Sequence, residues 1–76
     1  MLAMVPMTNA PEIVGKNVRK YREKKGISQE ALADLAGLHR TYITKVEQGK
    51  TNISVVNIFR IAEALDVAAK ELLESE

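Results

Sequence analysis

The chain has 76 residues, a formal net charge of +1, no cysteine, one histidine and 4% aromatic residues. A chain of this length forms one domain that buries only about 60–65% of its unfolded surface, so short elements must share one core. Cysteine chemistry is excluded, a lone histidine cannot hold a metal, and sparse β-branched alternation argues against a sheet domain. The opening segment, residues 1–10, is apolar but short, has no basic leader and is interrupted by Pro6. It is expected to be a loosely ordered segment, neither a signal peptide nor a membrane span. Its three methionines could pack on the domain, pack on a partner, or precede the natural start.

Residues 11–76 are expected to form the domain. Pro11 suits a first helical turn, and Val14, Val18 and Tyr21 share one face of a helix that Gly26 ends. Lys16, Arg19, Lys20, Lys24 and Lys25 fall mostly off that stripe. Two short helices then follow, joined by a tight turn, between Ser28 and Gly49. Ser28 is a good N-cap, Gln29 to Ala36 are mostly strong helix formers, and Gly37 can take the left-handed conformation that closes a helix. The next helix starts near His39 or Arg40. Leu32, Ala33 and Ala36 on one helix, and Ile43 and Val46 on the other, are spaced to face a shared core. Arg40, Thr41, Thr44 and Lys45 are left outward, a polar cationic row suited to reading bases in a DNA major groove.

After Gly49, the loop residues Lys50, Thr51 and Asn52 are polar groups able to touch phosphates. Ser54 caps a helix from Val55 to about Leu65, with Val55, Ile58, Ile61, Ala62 and Leu65 as its core stripe. Val56 and Phe59 fall off the stripe, where large apolar groups close together point to a partner. Asp66 is a tolerable left-handed residue. Val67, Leu72 and Leu73 belong to a last short helix whose cap, Ala68, is weak, so that helix depends on packing or dimerisation. With Val56 and Phe59 they form the expected dimer face.

Charge is distributed unevenly. Residues 16–50 carry nine Lys/Arg against four Asp/Glu, and residues 51–76 carry two against five. Alone, such an excess is a solvated face; joined to the spacing of residues 28–49 it becomes a phosphate-facing side.

Gln29, Ala33, Gly37, Ile43 and Val46, framed by KKGISQEALA and KVEQGKTNIS, stand at the spacing of a known signature. The chain resembles the Cro/cI-type (XRE) helix-turn-helix transcriptional regulators over residues 14–74. Within that family LHRTYI and a short C-terminus are most like the controller proteins of restriction-modification systems. The resemblance implies an all-α bundle of five short helices of the lambda-repressor-like type. It also implies that Gln29 meets a phosphate, and that Arg22 pairs with Glu47. His39 departs from the usual Ser, Thr or Asp cap; it either meets a phosphate when protonated or lies idle in solvent. Tyr42 either reaches the DNA backbone or covers its helix.

These readings make the chain a sequence-specific transcriptional regulator acting in the cytoplasm as a homodimer on a palindromic operator. Its expected partners are double-stranded DNA, a second copy and RNA polymerase, with no membrane and no cofactor. Enzymatic activity fails on inventory, having no cysteine, no glycine-rich phosphate loop and no clustered carboxylates. An antitoxin that also autoregulates, or a phage-type repressor, are the other readings.

Overall fold

A computed structural model describes residues 9–75. Within them the chain forms five helices and no strand, namely α1 (Ala10–Lys25), α2 (Gln29–Ala36), α3 (Arg40–Glu47), α4 (Val55–Leu65) and α5 (Ala69–Leu73). The N-terminal segment expected to be loose falls mostly on residues 1–8, outside the described residues, and Ala10 already opens α1. Helices of eight residues are not stable alone in water, so both local signals and tertiary packing have to hold them.

The local signals are in place. Ser28 Oγ accepts from Ala31 N at 3.0 Å and Ser54 Oγ accepts from Asn57 N at 3.1 Å, each satisfying a helix-start N–H that has no partner of its own. Gly26, Gly37 and Asp66 close α1, α2 and α4 in the left-handed conformation. At α5 the alanine cap has no acceptor. There the reverse half of a capping box is made, with Glu71 Oε2 accepting from Ala68 N at 2.9 Å.

Packing supplies the rest. α1 lies against α3, α4 and α5, α2 against α3 and α4, and α4 against α5. The centre is filled by Val18, Leu32, Ile43, Val46, Ile61 and Leu72, each essentially without exposure. The polar residue Asn17 is buried with them. Asn17 on α1 donates through Nδ2 to the carbonyls of Leu72 (2.9 Å) and Glu74 (2.8 Å), capturing the C-terminal end of α5. Tyr21, one turn on, donates to Glu71 Oε1 at 3.4 Å.

Two assignments need correction. Leu72, placed on the dimer face from its sequence position, is 0% exposed and belongs to the core, because Asn17 draws α5 down onto α1. Val55, placed in the α4 core stripe, is 69% exposed. It stands four residues before Phe59, so the two share a row that runs along the outside of α4, while Ile58, Ile61, Ala62 and Leu65 form the inner row.

Replacing Asn17 by Ala removes both bonds to the end of α5, at a cost of about 1–2 kcal/mol. Amide exchange at Lys70–Leu73 should accelerate more than exchange in α2 and α3, with a melting temperature lower by about 4–16 °C. Parental exchange in α5 would show that Asn17 does not hold it.

Candidate nucleic-acid interface

The α2–turn–α3 unit presents one outward helix face. After Gly37, the Leu38 N–H bonds back to Ala33 O at 2.9 Å, and the chain enters α3 through His39. His39 Nδ1 accepts from Thr41 N at 3.1 Å, so the histidine is itself the N-cap of α3. Nδ1 can accept only when it carries no proton, which places the ring proton on Nε2 and turns an N–H donor outward. Gly49, with φ +70°, ends the unit; a side chain there would also crowd Glu12 of α1.

At about 100° per residue, Arg40, Thr44, Thr41 and Lys45 occupy an arc of about 140° on α3. The buried Ile43 and Val46 lie on the opposite side. Arg40, Thr41 and Lys45 are exposed and Thr44 is half-buried. In the following loop Lys50 and Asn52 are exposed and Thr51 is half-buried. Tyr42 lies off the arc, partly buried against the core, and its hydroxyl accepts from Asn57 Nδ2 of α4 at 3.1 Å. That bond ties α3 to α4 and leaves the tyrosine O–H free to donate.

A buried polar cluster sets the angle at which α3 is held. The Arg22 guanidinium on α1 grips Glu47 at the end of α3 with two parallel bonds, Nε to Oε2 at 2.6 Å and Nη2 to Oε1 at 3.0 Å. Their side chains are only 13% and 4% exposed. Arg22 Nη1 donates to Ile27 O at 2.9 Å, and Gln29 Nε2 adds a third bond to the Glu47 carboxylate at 3.0 Å. Gln29 Oε1 accepts from Thr44 Oγ1 at 2.9 Å. Hydrogen bonding to Glu47 holds the Arg22 guanidinium above its ordinary pKa against the opposing pull of burial, with the charges of Glu47 and Glu23 adding to the rise. A raised arginine value means this contribution is complete below the unfolded value and is lost only as pH climbs past the folded one. Gln29 thus has structural work to do, and one of its two amide N–H groups takes no part in it.

Two residues that position this site escaped the sequence reading. Asn57 did so because its partner Tyr42 lies 15 positions away and nothing local marks the pair. Gly15 did leave a signal, since a glycine inside a helix costs about 1 kcal/mol relative to alanine and calls for a packing reason. The reason is close approach. A Cβ at Gly15 would overlap the Val46 carbonyl oxygen and press on Glu47, so α1 can cross the end of α3 this tightly only over a glycine.

Among the described residues no three His, Cys, Asp or Glu side chains converge to hold a metal, and no helix is long and apolar enough to cross a membrane.

A short helix with a fixed polar face, braced by a second helix across a glycine turn, defines a helix-turn-helix DNA-binding domain. Comparison with known proteins agrees. A helix-turn-helix family model matches residues 18–72. The chain is 46% identical over 70 residues to control protein C.BamHI of Bacillus amyloliquefaciens, covering 90% of this chain and 86% of that one. The crystal structure of the restriction-modification controller protein C.AhdI from Aeromonas hydrophila superposes with a TM-score of 0.79 at 47% identity, covering 82% of this chain and 94% of that chain. The N-terminal DNA binding domain of SinR from Bacillus subtilis superposes with a TM-score of 0.80 at 29% identity, over 86% of this chain and 96% of that domain. The chain belongs to the helix-turn-helix family, in its XRE-type branch of DNA-binding transcription regulators.

Arg22→Ala strands the Glu47 carboxylate in a nearly closed site and should cost about 3–5 kcal/mol. Thermal unfolding gives the check, and a melting temperature equal to the parent's would mean that the pair carries no stability. Gly15→Ala should cost about 1–3 kcal/mol, because the atoms it meets are backbone and cannot swing aside.

Proposed function

We propose that the protein is a homodimeric regulator that binds a palindromic operator and controls the genes of a restriction-modification system, in the cytoplasm and through RNA polymerase. The observation that carries this reading is the presence of two separate exposed faces on one small domain. The α3 face offers Arg40, Thr41, Thr44 and Lys45 to base edges, flanked by Gln29, His39, Tyr42, Lys50 and Asn52 for the DNA backbone. The second face is apolar. Val55, Val56 and Phe59 on α4 are 69%, 62% and 62% exposed and line an open groove with Val67 and Ala69, while Leu73 is 53% exposed.

One α3 makes few base contacts, and a two-fold pair doubles the readout on a palindromic site. Arg60 and Glu63 border the same groove with opposite charges, which a two-fold pairing can match. The likeness to control protein C.BamHI and to the controller C.AhdI supports the restriction-modification assignment. No feature of the described residues favours the antitoxin or phage-repressor readings over it.

Phe59→Glu places a charge twice in such an isologous contact and should give folded monomers with weakened operator binding. Sedimentation across a range of concentrations decides this. A monomeric parent, or a Phe59→Glu protein that dimerises like the parent, would move the interface elsewhere. Arg40 is the residue best suited to bidentate pairing with guanine, so Arg40→Ala should relax preference at one base pair per half-site, by about 1–3 kcal/mol. A binding-site selection that returns the parental profile would rule out that role.

A further inference from the structure

The buried cluster behind α3 dictates the hydrogen-bonding polarity of Thr44. An ionised carboxylate only accepts, so the Gln29 amide has to turn its Nε2 toward Glu47, where it donates at 3.0 Å. The flipped amide would set Oε1 against a carboxylate oxygen. Glu47 is in turn held by two bonds from Arg22 and has no freedom to move away. Gln29 Oε1 therefore faces Thr44, and it too only accepts. Thr44 Oγ1 lies 2.9 Å from that oxygen and 3.2 Å from the backbone carbonyl of Arg40. Both neighbours demand the single hydroxyl proton, and neither can supply one.

Whichever neighbour takes the proton, none remains for a ligand in front of the helix. Donating outward would leave Oγ1 beside two acceptor oxygens with nothing between them, a repulsive arrangement in a partly buried site. What Thr44 can offer outward is an oxygen lone pair and a methyl group. Arg40, one turn earlier on the same face, offers only donors. Neighbouring positions on the recognition face thus have opposite polarity.

We propose that Thr44 reads its base as a hydrogen-bond acceptor, from the exocyclic amino group of adenine or cytosine, and not as a donor to the keto oxygen of guanine or thymine. Thr44 is then a specificity residue whose sense is set three side chains away, by Arg22 through Glu47 and Gln29. The inference rests on the reading that Thr44 faces base edges, and the experiment separates the two.

Binding-site selection with the parent and with Thr44→Val, which keeps the shape but has no acceptor, identifies the base pair at which the two profiles differ. At that pair, synthetic operator duplexes carry either a base lacking its amino group (purine for adenine, 2-pyrimidinone for cytosine) or one lacking its keto oxygen (2-aminopurine for guanine, 5-methyl-2-pyrimidinone for thymine). Removing the amino group should weaken parental binding about fivefold. It should leave Thr44→Val unaffected, which controls for the weakened base pairing. Thr44→Ser, which retains the hydroxyl, should keep the parental dependence on the amino group. Parental dependence on the keto oxygen, lost in Thr44→Val, would overturn the assigned polarity while leaving the base contact intact. Identical selection profiles for parent and Thr44→Val would overturn the base contact itself, and the polarity with it.

Discussion

The Glu47 carboxylate, closed off from water and holding three hydrogen bonds, is the constraint on which the placement of α3 depends. A buried ion pair adds little net stability over a well-packed apolar contact, because desolvation offsets much of the attraction; what it enforces is orientation, since any other arrangement strands a charge. Here the enforcement acts on three helices at once. Arg22 comes from α1, Gln29 from the first turn of α2 and Glu47 from the last turn of α3, so the angles between these helices cannot relax independently. Gly15 tightens the same crossing from the backbone side, letting α1 reach the Val46 and Glu47 carbonyls. An eight-residue helix whose core contact rests on Ile43 and Val46 gains from such bracing, because a functional face has to be held by locked neighbouring side chains.

The other end of α3 is secured by different means. His39 caps it with a ring nitrogen where a hydroxyl or carboxylate is more usual. The ring nitrogen makes the cap bond and leaves an N–H donor on Nε2 beside Arg40, where an oxygen cap would present lone pairs. Tyr42 and Asn57 close the remaining side by joining α3 to α4. All four helices other than α5 are therefore coupled to the orientation of the outward arc of α3. α5 is coupled to α1 through Asn17, two residues beyond Gly15 on the same helix.

Features that depend on local chemistry were legible in the sequence. Helix boundaries followed from Ser28, Gly37, Ser54 and Asp66, because caps and left-handed closures are decided within a few residues. The outward arc of α3 was legible too, since on so short a helix the buried Ile43 and Val46 leave only one face free. Long-range pairing was hidden. Asn17 and the end of α5 are 55 positions apart, and without that bond Leu72 reads as surplus apolar surface on a weak terminal helix. Val55 was misplaced for a related reason. A hydrophobic stripe shows which residues share a row, not where along the helix the neighbouring helix stops covering it. The Arg22–Glu47 pair came from family resemblance, and charge spacing alone would not have singled it out from eleven lysines and arginines.

The separation of polar and apolar faces has a consequence for how such a domain can act. The basic excess lies in residues 16–50, which include α3, whereas the exposed apolar row of α4 lies in a stretch with more acidic than basic residues. On the proposed reading, pairing through α4 would bring together chain segments that do not carry the main positive charge, and repulsion between the two DNA-facing sides would oppose association only weakly at physiological ionic strength, where screening acts within about 8 Å. DNA removes the remaining opposition, because phosphates neutralise both basic sides together. On the proposed reading, dimerisation and DNA binding are then linked equilibria, each lowering the cost of the other. Such a domain can respond steeply without a bound effector, since occupancy of a two-fold site rises with the square of monomer concentration while the monomer predominates. On the same reading, the physical signal that sets its occupancy is its own abundance.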